Sequence, residues 1–176
     1  RQMCIRDSGK TDTDTAFTDK NGTLIKTYTT TIDRNINLFK DYRAIKDCIG
    51  FVDKENPDVI HCHSSKAGVI GKIAGAIKKK PVLYTPHAYS FLNTESVLKQ
   101  KIYLTLEQLF SKFNNKVLAC SVSEKNRAIK EVGHKKKKVL VFENGIKPIP
   151  KIVPLRIEKT WPDNYICSVA RPSFQK

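Results

Sequence analysis

Histidine and serine residues cluster at the ends of two short apolar segments in the middle of the chain. The first segment, 58–62, runs into the sequence HCHSS (61–65), and the second, 81–85, is followed by Pro86 and His87. Imidazoles and serine hydroxyls can both donate and accept hydrogen bonds near neutral pH. Such side chains suit the recognition of hydroxyl groups, provided that the fold brings the two segments together.

The residues between these segments predict how they are brought together. Small and apolar residues recur there at helical spacing, namely Ala67, Ile70, Ile73, Ala74 and Ile77. A strand, a helix and a second strand in this order form a βαβ unit, whose strands are parallel. Ligands of open α/β sheets bind outside the carboxyl ends of the strands. We therefore predict that these histidines and serines line the rim of a site.

The run His61–Cys62–His63 contains three residue types that can bind a metal. Alternation along a strand places His61 and His63 on one face and Cys62 on the other, so the three side chains do not converge. We predict no metal site there, with Cys62 in the core and His63 on the floor of the site.

The helix that follows starts at Ser64 and Ser65, with Gly68 one turn further on. The unpaired N–H groups of a helix start suit a phosphate or a sugar hydroxyl, so all three residues are candidate ligand contacts. The alternative is a plain N-cap followed by a close-packed glycine.

The rest of the chain continues the alternation of strands and helices. Strands are predicted over 23–32, 116–120, 139–142 and 165–169, and helices over 35–52, 97–113 and 121–132. In the helices, the apolar faces are expected to consist of Leu38, Tyr42, Ile45, Ile49 and Val52, and of Leu98, Ile102, Leu106, Leu109 and Phe113. This order predicts an α/β fold with a doubly wound, Rossmann-like parallel sheet.

The charge composition indicates which chemical class of partner the protein binds. The 176 residues carry 32 Lys and Arg against 17 Asp and Glu, a net charge of +15, which favours anionic partners. No sequence signature of a nucleic-acid-binding domain is present, so we expect no nucleic-acid partner. The five cysteines lack CxxC spacing, which is typical of reduced thiols in a cytoplasmic protein.

Six sequence blocks, taken together, resemble a known family. They are PDVIHCHSSKAG (57–68), VLYTPHAYSF (82–91), the helix containing Glu107, ACSVSE (119–124), VLVFENGI (139–146) and ICSVARPSFQK (166–176). In this order and spacing they resemble the N-terminal domain of bacterial GT-B glycosyltransferases of the family-4 type, as in capsule and exopolysaccharide synthesis. The resemblance covers about residues 34 to 176.

The resemblance implies the N-terminal half of a GT-B fold, truncated at both ends. Residues 1–20 lie outside it: the first eight show no periodicity and lead into a polar run, which indicates a sequence scar or a disordered segment. Residues 21–146 would form the N-terminal domain and 147–162 a linker. Residues 163–176 would be the first strand and loop of a C-terminal domain. A chain without the remainder of that domain would be inactive by itself.

The resemblance also implies an activity. The intact enzyme would transfer a sugar from a nucleotide-diphosphate-sugar donor to a hydroxyl of a saccharide or polyprenyl-linked saccharide. It would retain the anomeric configuration and use no metal or other cofactor. The alternatives are a nucleotide-sugar epimerase of the GT-B type and a non-catalytic Rossmann-like binding module. A NAD dehydrogenase is disfavoured because the glycines of 68–75 lie within a predicted helix.

Roles for individual residues follow from the resemblance. His87 would be the catalytic contact in the interdomain cleft, and Arg171 and Lys176 would neutralise the donor diphosphate. The implied substrate-binding residues are His63, Ser64, Ser65, Gly68, Phe91, Glu124 and Asn144. Alternatives are core packing for Phe91, a capping box with Ser121 for Glu124, and a charged surface loop for the two cations.

Two lysine runs, 78–80 and 135–138, have a functional and a plain interpretation. A solvated helix end is the plain one for the first run. The functional one is contact with an anionic membrane, since each surface lysine contributes roughly 1 kcal/mol to such binding. We accordingly expect a cytoplasmic protein in peripheral contact with the inner face of the cell membrane.

Overall fold

The structure, a computed structural model, describes residues 3–7, 18–19, 21–32, 36–143 and 145. The predicted linker (147–162), the predicted last strand (165–169) and the candidate residues Asn144, Arg171 and Lys176 lie outside the described residues.

The first two strands of the chain form a two-stranded parallel sheet. It consists of β1 (Met3–Asp7) and β2 (Lys26–Thr30), paired in register from Met3 with Lys26 to Asp7 with Thr30. The first eight residues, interpreted from the sequence as a scar or a disordered segment, thus include a strand. A five-residue segment without apolar alternation gives no periodic signal, and its pairing depends on a partner more than 20 residues away.

The main sheet has four parallel strands that lie side by side in chain order. They are β3 (Ile60–His63), β4 (Val82–Thr85), β5 (Asn115–Ala119) and β6 (Val139–Val141). Every neighbouring pair is parallel, as predicted. The carboxyl ends of all four strands consequently lie at one edge of the sheet, which we call the carboxyl edge.

Four helices accompany the strands: α1 (Leu38–Glu55), α2 (Ser65–Ile77), α3 (Val97–Ser111) and α4 (Val122–Lys130). Short 3₁₀ turns lie at Ser90–Leu92 and Lys136–Lys138. Right-handed crossovers between strands in chain order place the connecting helices on one face of the sheet. The predicted α/β class and Rossmann-like parallel sheet are confirmed.

Glycines let α2 approach the sheet closely. A Cβ atom added at Gly71 would lie 2.1 Å from the Sγ atom of Cys62, and one added at Gly68 would lie 2.4 Å from a ring carbon of Tyr84. Gly68 is therefore buried against the sheet, and the prediction that it binds substrate is wrong. The alternative interpretation, a close-packed glycine, describes it.

The buried face of α1 differs from the predicted one. Its buried residues are Ala44, Cys48 and Val52, whereas Leu38 and Tyr42 are exposed by 79% and 70%. Small side chains let the second half of α1 pack against Ile70 and Ala74 of α2. The large residues at the start of the helix are exposed, although Leu38 shares a side of the helix with the half-buried Ile45 and Ile49.

The inward side of α3 is mixed, because Tyr103 and Leu104 pack against the core beside its buried polar residues. Glu107 and Ser111 are its buried residues, while Leu98, Ile102 and Leu109 are exposed. The inward residues of α3 therefore differ from the predicted ones, since Tyr103 and Leu104 pack inward and Leu98, Ile102 and Leu109 do not. The buried carboxylate of Glu107 has a cationic partner inside the fold, described below.

His134 is a buried residue in the segment that connects α4 to β6. It is 3% exposed, and neither ring nitrogen has a hydrogen-bond partner among the described residues. Burial, together with the positive charges of Lys72 and Lys138, lowers the pKa of His134 to about 4. The folded protein therefore favours the neutral imidazole.

This histidine predicts a loss of stability in acid. In the unfolded chain its pKa is about 6.5, so the unfolded state binds the proton first and stability falls as the pH drops from 6.5 towards 4. The free energy of unfolding should fall by on the order of 2 kcal/mol between pH 7 and pH 5 from this group. Urea titrations at both pH values measure the change. In His134→Leu the decrease should be smaller by that amount, and an equal decrease in both proteins would contradict the prediction.

Candidate active site

Three strand ends meet at the carboxyl edge and bring polar side chains into contact. His63 ends β3, and its Nδ1 atom lies 2.9 Å from Nε2 of His87, which follows β4. The other ring nitrogen of His87, Nδ1, lies 3.6 Å from the Sγ atom of Cys120, which follows β5. The βαβ prediction of a shared rim for His63 and His87 matches this arrangement.

The two imidazoles form a hydrogen-bonded pair with one proton between them. Their rings are stacked, with centroids 5.2 Å apart and planes inclined by 15°. Burial, followed by the proximity of His87, lowers the pKa of His63, so this ring is neutral at pH 7. In a neutral pair, one nitrogen of the 2.9 Å contact donates and the other accepts.

His61 and Cys62 lie as strand alternation predicts. The His61 ring is next to that of His63, with centroids 4.1 Å apart, and its Nε2 is 2.9 Å from Oγ1 of Thr85. Cys62 points into the core and is 6% exposed, and burial raises the pKa of its thiol to about 12. Within the described ranges, no three His, Cys, Asp or Glu side chains are arranged to bind a metal ion.

The backbone at His87 adopts an unusual conformation. His87 and the following Ala88 have φ angles of 51° and 71°, in the left-handed region that residues other than glycine rarely occupy. Such residues cost roughly 1–3 kcal/mol each and persist only when their surroundings fix them. The conformation turns the His87 ring towards β3 and β5.

Glu124 fixes this turn. Its Oε1 atom accepts a hydrogen bond from the Ala88 N–H at 3.0 Å, and its Oε2 atom accepts one from the Cys120 N–H at 2.6 Å. The Glu124 N–H is itself capped by Oγ of Ser121 at 3.1 Å. Both carboxylate oxygens are thus bound to backbone amides, which favours a positioning role over the predicted substrate contact.

We expect Glu124→Ala to release the His87 turn. Two backbone N–H groups lose their acceptor, which should lower the free energy of unfolding by about 1–3 kcal/mol. The imidazole ¹⁵N and ¹H resonances of His63 and His87 should move towards those of separate, solvated rings. Glu131→Ala is the matched control, because Glu131 forms only an exposed pair with Arg127. If both variants leave the imidazole resonances unchanged, Glu124 does not position His87.

The start of α2 shapes the other side of the site. Ser64 has a φ angle of 72°, and its side chain makes no capping hydrogen bond, so the predicted N-cap interaction is absent there. Ser65 instead accepts a hydrogen bond from the Ser90 N–H at 3.1 Å. Ser65 thereby fixes the segment that follows His87, and the N–H groups of the first turn of α2 remain uncapped by Ser64.

Phe91 does not belong to the site surface. It is 2% exposed and stacks on Tyr89, with ring centroids 5.3 Å apart. The prediction that it stacks on a substrate is wrong, because the 3₁₀ turn directs both aromatic rings into the core. Core packing, the alternative interpretation, is correct.

A buried polar cluster supports the site from below and was not predicted from the sequence. The Tyr84 hydroxyl donates to Oε1 of Glu107 at 2.6 Å, and Nζ of Lys72 lies 3.5 Å from Oε2 of Glu107. The same Nζ is 3.9 Å from the centroid of the Tyr84 ring. Burial lowers the pKa of Lys72 and raises that of Tyr84. The signal available in the sequence was Lys72 among the small and apolar residues of 67–77.

A cavity of about 510 Å³ adjoins His87. It is lined by His87, Ala88, Tyr89, Leu92, Cys120, Ser121, Ser123, Glu124 and Arg127. Binding pockets for small molecules span roughly 300–1,000 Å³, so this one can accept a sugar-sized group. Its hydroxyl, imidazole and guanidinium groups match the hydroxyl-rich surface of a saccharide.

Comparison with known proteins assigns the family. The family model for Glycosyltransferase Family 4 matches residues 11–148. The chain belongs to this glycosyltransferase family. The match begins at residue 11, whereas the resemblance read from the sequence began near residue 34.

Two curated relatives of this family-4 chain are glycosyltransferases by name. The Escherichia coli UDP-Gal:alpha-D-GlcNAc-diphosphoundecaprenol alpha-1,3-galactosyltransferase is 32% identical over 117 residues, which cover 66% of this chain and 30% of the relative. The Staphylococcus aureus capsular polysaccharide biosynthesis glycosyltransferase CapM is 29% identical over 113 residues, covering 64% and 30%. The chain spans about a third of the length of these relatives.

A solved structure supports the fold of the family-4 chain. The Anabaena protein Alr3699/HepE, in its complex with UDP-glucose, superposes with a TM-score of 0.51 at 21% identity. The match covers 69% of this chain and 31% of the Anabaena chain. At this identity the likeness shows the shared fold.

Proposed function

We propose that the intact protein transfers a sugar from a nucleotide-diphosphate sugar to a hydroxyl of a polyprenyl-linked saccharide, and that the described residues form its acceptor side. The observation that carries the proposal is the hydrogen-bonded His63–His87 pair beside a sugar-sized cavity in a family-4 chain. The names of the relatives support the substrates, because one acts on GlcNAc-diphosphoundecaprenol and the Anabaena protein binds UDP-glucose. Retention of configuration is part of the proposal.

In this proposal His87 orients a reacting hydroxyl. Its Nδ1 faces the thiol of Cys120, a weak partner that a sugar oxygen can replace. If His63 donates the proton of the shared hydrogen bond, Nδ1 of His87 carries a proton and donates to the sugar. If His63 accepts it, Nδ1 of His87 accepts from the sugar hydroxyl. The tautomer of His63 thus selects the role of His87.

Charge on the donor diphosphate needs cations, and we propose Arg171 and Lys176 for this role. Fixed cations stabilise the negative charge that develops on a diphosphate leaving group. Positioning and charge stabilisation would together account for catalysis, without a metal ion. We also propose that the reaction takes place at the cytoplasmic face of the cell membrane, where nucleotide sugar and lipid-linked acceptor would meet.

The test uses the full-length gene product, UDP-[¹⁴C]sugars and polyprenyl-diphosphate-linked saccharides. The proposal expects label to enter the lipid fraction only when the acceptor is present. A sugar product formed without any acceptor would favour the epimerase alternative, and binding without turnover would favour the binding module. The 176-residue chain, assayed in parallel, is expected to show no transfer, and measurable turnover by it would place the donor site within these residues.

A further inference from the structure

The start of α1 presents large apolar side chains to solvent. Leu38, Phe39 and Tyr42 are exposed by 79%, 91% and 70%. Helical spacing places the three on one side of the helix, away from the buried residues Ala44 and Cys48. Three large apolar side chains so exposed within five residues of one helix are typical of a surface that binds another apolar surface.

Basic residues continue this outward side. Arg43 and Lys46 are exposed and follow the apolar residues at helical spacing. The nearby acids have partners within the fold: Asp41 pairs with a lysine of α2, and Asp47, which lines a small cavity with Arg43, accepts a hydrogen bond from Thr30 at 2.8 Å. We call Leu38, Phe39, Tyr42, Arg43 and Lys46 the α1 patch. It combines apolar and cationic groups, as membrane-surface helices do.

Two ion pairs fix where the α1 patch lies. Asp41 pairs with Lys66, at the start of α2, at 2.7 Å, and Asp53 pairs with Lys78, at the end of α2, at 2.5 Å. The two helices therefore lie side by side and run in the same direction. Since α2 starts at the carboxyl edge, the α1 patch lies at the same edge as the His63–His87 pair.

The lysine runs occupy the other edge of the sheet. Residues 78–80 immediately precede β4, and the 3₁₀ turn Lys136–Lys138 immediately precedes β6. They lie at the amino ends of parallel strands, opposite the candidate site. A membrane bound through these runs would face away from the site, which disfavours the membrane contact expected from the sequence.

We propose that the α1 patch lies on an anionic lipid bilayer and thereby turns the carboxyl edge towards a membrane-embedded acceptor. The apolar side chains would enter the boundary between headgroups and acyl chains, while Arg43 and Lys46 would contact lipid phosphates. Within the residues that the structure describes, no helix is long and apolar enough to cross a membrane. The lipid-linked acceptor rests on the proposed function, whereas the bilayer contact stands on the patch alone.

Flotation of the 176-residue chain with lipid vesicles tests this inference. The chain should float with vesicles of phosphatidylcholine and phosphatidylglycerol and should float less with phosphatidylcholine alone. Leu38→Ser/Phe39→Ser should lower the partition coefficient about tenfold, since two large apolar side chains no longer leave water. Arg43→Glu/Lys46→Glu should abolish the preference for the anionic vesicles.

Matched variants test whether flotation depends on the α1 patch or on another exposed surface. Ile77→Ser/Leu109→Ser removes two exposed apolar side chains from the ends of α2 and α3, at the opposite edge, and should leave flotation unchanged. Lys136→Ser/Lys137→Ser should lower it less than the double charge reversal in the α1 patch. Flotation that depends on the lysine run and not on the patch would overturn the proposal. So would a dimer in sedimentation that Leu38→Ser/Phe39→Ser dissociates. Neither result concerns sugar transfer, so failure here is distinct from failure of the proposed function.

Discussion

Glu107→Ala is expected to lower the free energy of unfolding by about 3–5 kcal/mol, the usual effect of leaving a buried charge unpaired. The side chains of Lys72 and Glu107 are 0% and 3% exposed, so solvent cannot replace the lost partner. The Tyr84 hydroxyl also loses its acceptor at 2.6 Å. The loss is a large part of the stability of a domain, typically about 5–15 kcal/mol.

A double variant distinguishes the charge effect from loss of packing. Lys72→Met/Glu107→Gln removes both charges and keeps an acceptor for Tyr84, so it should be more stable than the sum of the effects of Glu107→Gln and Lys72→Met predicts. Urea unfolding of the unsubstituted protein, Lys72→Met, Glu107→Gln and the double variant measures the cycle. If the double variant is destabilised by the sum of the single effects, the ion pair does not determine the stability of this cluster.

His87→Ala in the full-length transferase should lower turnover by about 10²-fold, the loss expected for one well-placed hydrogen bond in the transition state. The His87 ring is exposed and contacts only His63 and Cys120 in the hydrogen bonds described above. Its removal should therefore change the melting temperature little. His63→Ala should have a smaller effect on the rate, because His63 contacts His87 but does not line the cavity.

Initial rates and melting temperatures of both variants, measured together, decide between a site role and a structural role. His87→Asn is the control, because asparagine tolerates a positive φ angle and keeps a donor and an acceptor. It should retain more activity than His87→Ala at the same stability. Near-normal turnover in His87→Ala together with a melting temperature many degrees lower would show that His87 is a structural residue.

The sequence predicted the parts of the fold that depend on local periodicity. The helix 65–77, with its regular apolar spacing, and the flanking strands were placed within three residues of their observed bounds. The meeting of His63 and His87 followed from the rule that parallel strands end at one edge. These conclusions needed no knowledge of side-chain contacts.

The errors concern features that depend on contacts distant in sequence. On α3, Glu107 faces inward and pairs with Lys72, 35 positions away, and such a contact leaves no periodic signal in the sequence. Glu124 was ambiguous in the sequence because a capping box explained it fully. Its contact with the Ala88 N–H depends on a backbone turn that no residue pattern predicts.

The segment around His87 is attached to two different helices. The Ala88 N–H binds Glu124 of α4, and the Ser90 N–H binds Ser65 of α2. Two cavity residues, Ser123 and Arg127, take no part in either attachment. The cavity wall can therefore change in shape and charge while the imidazole keeps its place. Substitutions at positions such as 123 and 127 can therefore change which acceptor related enzymes prefer. The two attachments that position the His87 imidazole need not change.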